Sequence, residues 1–73
     1  MTCEQFNLLD PEEQKKLIKK ALPMGARTEG NTTVKFYKLD GFYVEVYFNP
    51  KYHTVTKYVA MTEQDFIKLY LNI

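Results

Sequence analysis

The chain reads as a small α+β domain, and three observations carry that reading. Asp40-Gly41 stands between two alternating runs, TTVKFYKL and FYVEVYFN, and marks a two-residue hairpin turn. Helix-start signals lie on either side of the strand region: Thr2 with Gln5, Asp10 with Pro11, and Thr62 with Asp65. The 73 residues are 45% hydrophobic and 15% aromatic, enough apolar material for one packed core and too short a chain for a second lobe, so residues 1–73 are taken as a single domain. The expected order is helical, three antiparallel strands as a meander, then helical.

The N-terminal region opens with Thr2 and Gln5 at capping-box spacing, which predicts a short helical turn. The main helix is expected over Pro11–Leu22. Asp10 is its N-cap, Pro11 its first residue, and Leu17, Ile18, Ala21 and Leu22 form its apolar stripe. Glu12 precedes Lys16 by four residues, an orientation suited to a surface ion pair. Pro23 and Gly25 close the helix, and 23–32 reads as a loop.

A type I′ turn at Asp40-Gly41 sets the register of the hairpin. Leu39, Tyr37, Lys35 and Thr33 oppose Phe42, Val44, Val46 and Phe48 on one face, and Lys38, Phe36 and Val34 oppose Tyr43, Glu45 and Tyr47 on the other. Asn49-Pro50-Lys51-Tyr52-His53-Thr54 suits a four-residue loop. That loop places Val55, Val59 and Met61 on the apolar face and Thr56 and Tyr58 on the mixed one; a slip of one residue reverses the third strand. The closing helix begins at Thr62 and carries Phe66, Leu69, Tyr70 and Ile73 at helical spacing. Both helices most simply cover the apolar face.

The opposite face would then stand bare, with Val34, Phe36, Tyr43, Tyr47 and Tyr58 among Lys38, Glu45 and Thr56. Contiguous aromatic surface of this kind marks interfaces, although β propensity alone also places Tyr, Phe and Val on solvated faces. The expected site is therefore a protein-interaction or homodimer surface made of Phe36, Lys38, Tyr43, Glu45, Tyr47 and Tyr58. The sheet edges offer a second route for association, which Lys35, Lys38 and Lys57 would discourage.

Ten basic and nine acidic residues leave a net charge of +1, with no field to draw nucleic acid or an anionic membrane. The basic cluster Lys15, Lys16, Lys19, Lys20 and Arg27 could contact phosphate or an acidic partner protein, but a Lys-rich solvated helix face that complements the helix dipole explains it better. No apolar run approaches the length of a membrane span, the start lacks a signal-peptide pattern, and a single cysteine suits a reducing compartment, so a cytoplasmic location is expected.

Two nucleic-acid families bear comparison. Asp40–Tyr47 resembles the RRM strand motif at Gly41, Phe42 and Tyr47, but Asp40, Tyr43 and Glu45 depart from it. The double-stranded RNA-binding domain is similar in element order only, since Thr62-Glu63-Gln64-Asp65 replaces its basic helix start. Catalysis has no constellation: Cys3 and His53 are fifty residues apart in sequence, and the three glycines form no phosphate loop. No cofactor or metal is expected. The sequence thus predicts a non-catalytic protein-interaction domain or homodimer. The alternative is a nucleic-acid-binding regulator, and more remotely a component or inhibitor of a larger assembly.

Overall fold

A computed structural model describes residues 1–70. The chain runs through α1 (Cys3–Asn7), α2 (Pro11–Ile18), β1 (Leu22–Glu29), β2 (Thr32–Leu39), β3 (Phe42–Asn49), β4 (Thr54–Met61) and α3 (Glu63–Tyr70). The strands form one antiparallel meander in the order β1-β2-β3-β4. The α+β class is as expected, but the sheet has four strands where three were predicted. The extra strand, β1, occupies the stretch read as a loop. Its signal is Gly30-Asn31: Gly30 has φ 57 at the first central position of a two-residue turn that sets Glu29 opposite Thr32. Pro23 and a bulge between Pro23 and Gly25 mask the strand in sequence, and both are tolerated because β1 is an edge. The main helix accordingly stops at Ile18, four residues short of the predicted end, because Leu22 already begins β1.

The β2–β3 register is the predicted one from Leu39–Phe42 to Thr33–Phe48, with Asp40 at φ 49 and Gly41 at φ 84 in the turn. The second turn is also the predicted four-residue loop, pairing Asn49 with Thr54 and tightened by the Lys51 N–H donating to Asn49 Oδ1 at 3.0 Å. Beyond Phe48–Val55 the ladder shifts by one residue. Thr56 lies at this bulge and donates its hydroxyl to the Tyr47 carbonyl at 3.2 Å. From there on, Tyr58 pairs with Val46, Ala60 with Val44 and Met61 with Tyr43. A bulge adds one residue to one strand, and with a side-chain period of two this exchanges the faces. Tyr58 therefore lies on the apolar face, and Val59 and Met61 on the other, the reverse of the expected assignment.

The two faces are covered by different helices. On the first, Phe6, Phe42, Val44, Val46 and Ala60 form a buried cluster with Leu9, Leu17, Ile18, Tyr37, Leu39 and Tyr58 packed against it. Here α1 has the expected capping box, with Thr2 N–H to Gln5 Oε1 at 2.8 Å and Gln5 N–H to Thr2 Oγ1 at 3.2 Å. Asp10 caps α2 through the Glu13 N–H at 3.0 Å. The ion pair on α2 joins Lys16 to Glu13 rather than Glu12. Gln14, buried, ties the helices together by donating to the Phe6 carbonyl at 3.0 Å.

On the second face, Tyr43, Met61 and Phe66 form a separate cluster with Phe36 and Tyr70. The expectation that all helices share one face is thus corrected: α3 lies on the opposite side. The bulge brings β4 out with Met61 beside Tyr43, and Thr62 starts α3 immediately, accepting the Asp65 N–H at 3.1 Å. Phe66 and Tyr70, four residues apart and so on one side of the helix, meet the sheet there. Leu69 points outward, and Ile73 falls outside the described residues.

Candidate functional site

The predicted aromatic face is a core beneath α3. Tyr43 stacks on Phe66 with centroids 4.0 Å apart and 8° between the planes, and Phe36 lies 4.4 Å from the Tyr70 ring. Of the six residues singled out, Phe36 and Tyr43 serve this packing. Glu45 and Tyr47 belong to a polar cluster at its margin. Lys38 is exposed, its ammonium 5.9 Å from the Tyr43 ring. Tyr58 is on the other face, edge-on to Phe6 at 6.4 Å.

The polar cluster joins three elements around a buried carboxylate. Glu45 on β3 is 5% exposed, and Tyr47 donates to its Oε1 at 3.1 Å. The Tyr70 hydroxyl on α3 donates to its Oε2, and Arg27 Nη2 on β1 approaches the same oxygen at 3.5 Å. Arg27 Nε also donates to the Tyr70 hydroxyl at 3.2 Å, and Arg27 pairs along its own strand with Glu29. A buried carboxylate needs such partners, and the described residues contain no buried side-chain polar atom without one. Arg27, placed by sequence within a lysine cluster, instead serves this one. Only the tertiary approach of β1 and α3 could reveal that role.

Electrostatics set the working range of the cluster. The hydrogen bond to Tyr70 raises the Arg27 guanidinium pKa further, keeping it charged. Burial first, then Glu45, raises the phenols of Tyr47 and Tyr70. Burial, then the charge of Glu12, raises that of Tyr58. A phenol that holds its proton more tightly when folded stabilises the fold fully below the unfolded value of about 10, and loses that contribution as pH climbs through the raised folded value. The thermal midpoint is therefore expected to fall with rising pH above about 10, and to fall less steeply in Tyr47→Phe and Tyr70→Phe. Melting curves across alkaline pH check this; equal slopes in all three proteins would contradict it.

The first face has its own opening. Its helices cover the end nearest Phe42, and toward the other end they leave a groove of about 410 Å³. Ile18, Tyr37, Val46, Phe48, Val55 and Tyr58 provide its apolar surface. Lys15 on α2, Lys19 at the C-cap of that helix and Lys35 on β2 stand around it, and no carboxylate lines it. All three lysines are exposed; Lys35 holds its ammonium 5.1 Å from the Phe48 ring, and among the described residues none of the three forms an ion pair. Val55, 41% exposed, is open to water. Lys15 and Lys19 were legible in sequence as basic residues of the helix expected over Pro11–Leu22. What the sequence did not show was that Lys35, five residues before a turn on β2, stands beside them.

Cys3 is half-buried against the first core cluster, and His53 is exposed in the β3–β4 loop. Among the described residues no group of three or more His, Cys, Asp or Glu could hold a metal, and no helix is long and apolar enough to cross a membrane. Comparison of the chain with protein-family models, curated protein sequences and solved structures finds no match.

Proposed function

We propose that this protein is a non-catalytic interaction module whose groove takes a short segment of a partner protein bearing apolar side chains beside carboxylates. The observation that carries the proposal is an apolar floor, open to water, with three lysines around it and no acidic residue in its lining. Apolar surface supplies affinity, while unpaired charge around it selects the sign of the partner and speeds encounter. The function expected from sequence is kept in kind, as protein interaction, but moves from the aromatic face that α3 covers to the opposite face.

The test is selection of peptides from a random display library on the folded domain, followed by NMR titration of a selected peptide. Enriched Asp and Glu next to Leu, Phe or Trp are expected, with shifts at Ile18, Tyr37, Phe48, Val55 and Tyr58. Each exposed pair contributes about 0.2–1 kcal/mol, so Lys15→Glu, Lys19→Glu and Lys35→Glu together should weaken binding roughly tenfold or more. Peptides without acidic enrichment, or shifts confined to another surface, would overturn the reading. So would a mixed-sequence single-stranded oligonucleotide that binds these residues more tightly than any peptide, which would instead favour the nucleic-acid alternative.

A further inference from the structure

The two edges of the sheet are treated differently. On β4, the Asn7 side chain takes the place of a further strand: its Nδ2 donates to the Ala60 carbonyl at 3.1 Å and its Oδ1 accepts the Ala60 N–H at 2.9 Å. The same strand carries the bulge at Thr56 and exposed Lys57, so it is closed to pairing by three separate devices. On β1 the protection is confined to one end, at Pro23 and the bulge beside it. Ala26–Glu29 then pairs regularly with Lys35–Thr32, and among the described residues β2 is its one strand partner.

The sequence of this open stretch is complementary to itself. In an antiparallel pairing centred on Thr28, Thr28 meets its own copy and Arg27 meets Glu29 in both directions. Directly opposed residues point to the same face, and Arg27 and Glu29 already share one, where they pair within the strand. Pairing shifted so that Arg27 lies on the axis would instead oppose two guanidiniums, which is unfavourable. We propose that a second copy of this chain docks on the β1 edge in the Thr28-centred register, continuing the sheet to eight strands.

The axis relating the copies is perpendicular to the sheet, so both Lys-rimmed grooves lie on one side of the dimer and neither is covered. The paired stretch is short, so the dimer forms at high protein concentration and dissociates on dilution. This inference stands apart from the groove proposal, because it uses another surface and is read out without any ligand.

Sedimentation equilibrium of the full chain from micromolar to near-millimolar concentration should give a mass rising from one protomer towards two. Glu29→Lys sets an added cation opposite Arg27 of the partner subunit, and should weaken association at least tenfold with an unchanged circular dichroism spectrum. The register has its own test. In a Cys3→Ser background, Thr28→Cys should be oxidised to a disulfide-linked dimer far faster than Ala26→Cys, because only residues on the axis bring their Cβ atoms within bridging distance. A wild-type chain that stays monomeric throughout the range, or association unaffected by Glu29→Lys, overturns the proposal. Equal cross-linking at the two cysteine positions overturns the register.

Discussion

Phe6→Ala is expected to destabilise the protein by about 3–5 kcal/mol, the range for removing a buried ring from a core. Phe6 is completely buried, lies 6.0 Å from Phe42 and 6.4 Å from Tyr58, and is surrounded by Val44, Val46 and Ala60. α1 is only five residues long and cannot persist by helix propensity, so this one ring is its main anchor to the sheet. Its loss would also loosen Asn7, whose amide closes the β4 edge. A chain of this length holds roughly 4–11 kcal/mol in all, so the loss takes a large share of the total and the urea midpoint should fall sharply. Urea titration followed by circular dichroism measures the change. A loss below about 1 kcal/mol would show that α1 is not part of the cooperative core.

Arg27→Ala should cost roughly 2–3 kcal/mol, below the 3–5 typical of a fully buried broken pair. The discount has two causes: the Arg27 side chain is 30% exposed, and Glu45 keeps its hydrogen bonds from Tyr47 and Tyr70. What is lost is the positive charge facing a carboxylate with little access to water, together with the donor that orients the Tyr70 hydroxyl. Glu45→Gln removes the charge in a similar volume, so in the Arg27→Ala background it should cost less than it does in the wild type. The coupling between the two substitutions should fall within 0.5–3 kcal/mol in a double-mutant cycle by chemical denaturation. Effects that simply add would mean that the ion pair contributes nothing, and that β3 and α3 are held together here by the tyrosines alone.

These residues also show where sequence reasoning reached and where it stopped. The caps at Thr2, Asp10 and Thr62, the hairpin register across Asp40-Gly41 and the four-residue loop after Asn49 are all present as read. Each rests on groups within a few residues of one another, where side-chain type and backbone geometry are directly linked. Gly30-Asn31 was a signal of the same local kind. The reading of 23–32 as a loop, made from Pro23 and Gly25, missed it: Pro is tolerated on an edge strand, and the sequence does not say that this strand is an edge.

The placement of the helices was decided at longer range. One extra residue at Thr56 turns the end of β4 over, delivers Met61 to the face of Tyr43, and so sends Phe66 and Tyr70 onto the aromatic surface that the sequence left bare. A bulge balances packing on both sides of the sheet against a local loss of hydrogen bonding, and no short stretch of residues contains that balance. The sequence by itself determined the α+β class, the element order for all but β1, and the apolar face of the β2–β3 hairpin. The tertiary structure alone decided which helix covers which face, how Arg27 and Tyr70 come to enclose Glu45, and that Lys15, Lys19 and Lys35 surround one groove. Those relations join residues distant in sequence, and their energies exist only once the chain has folded.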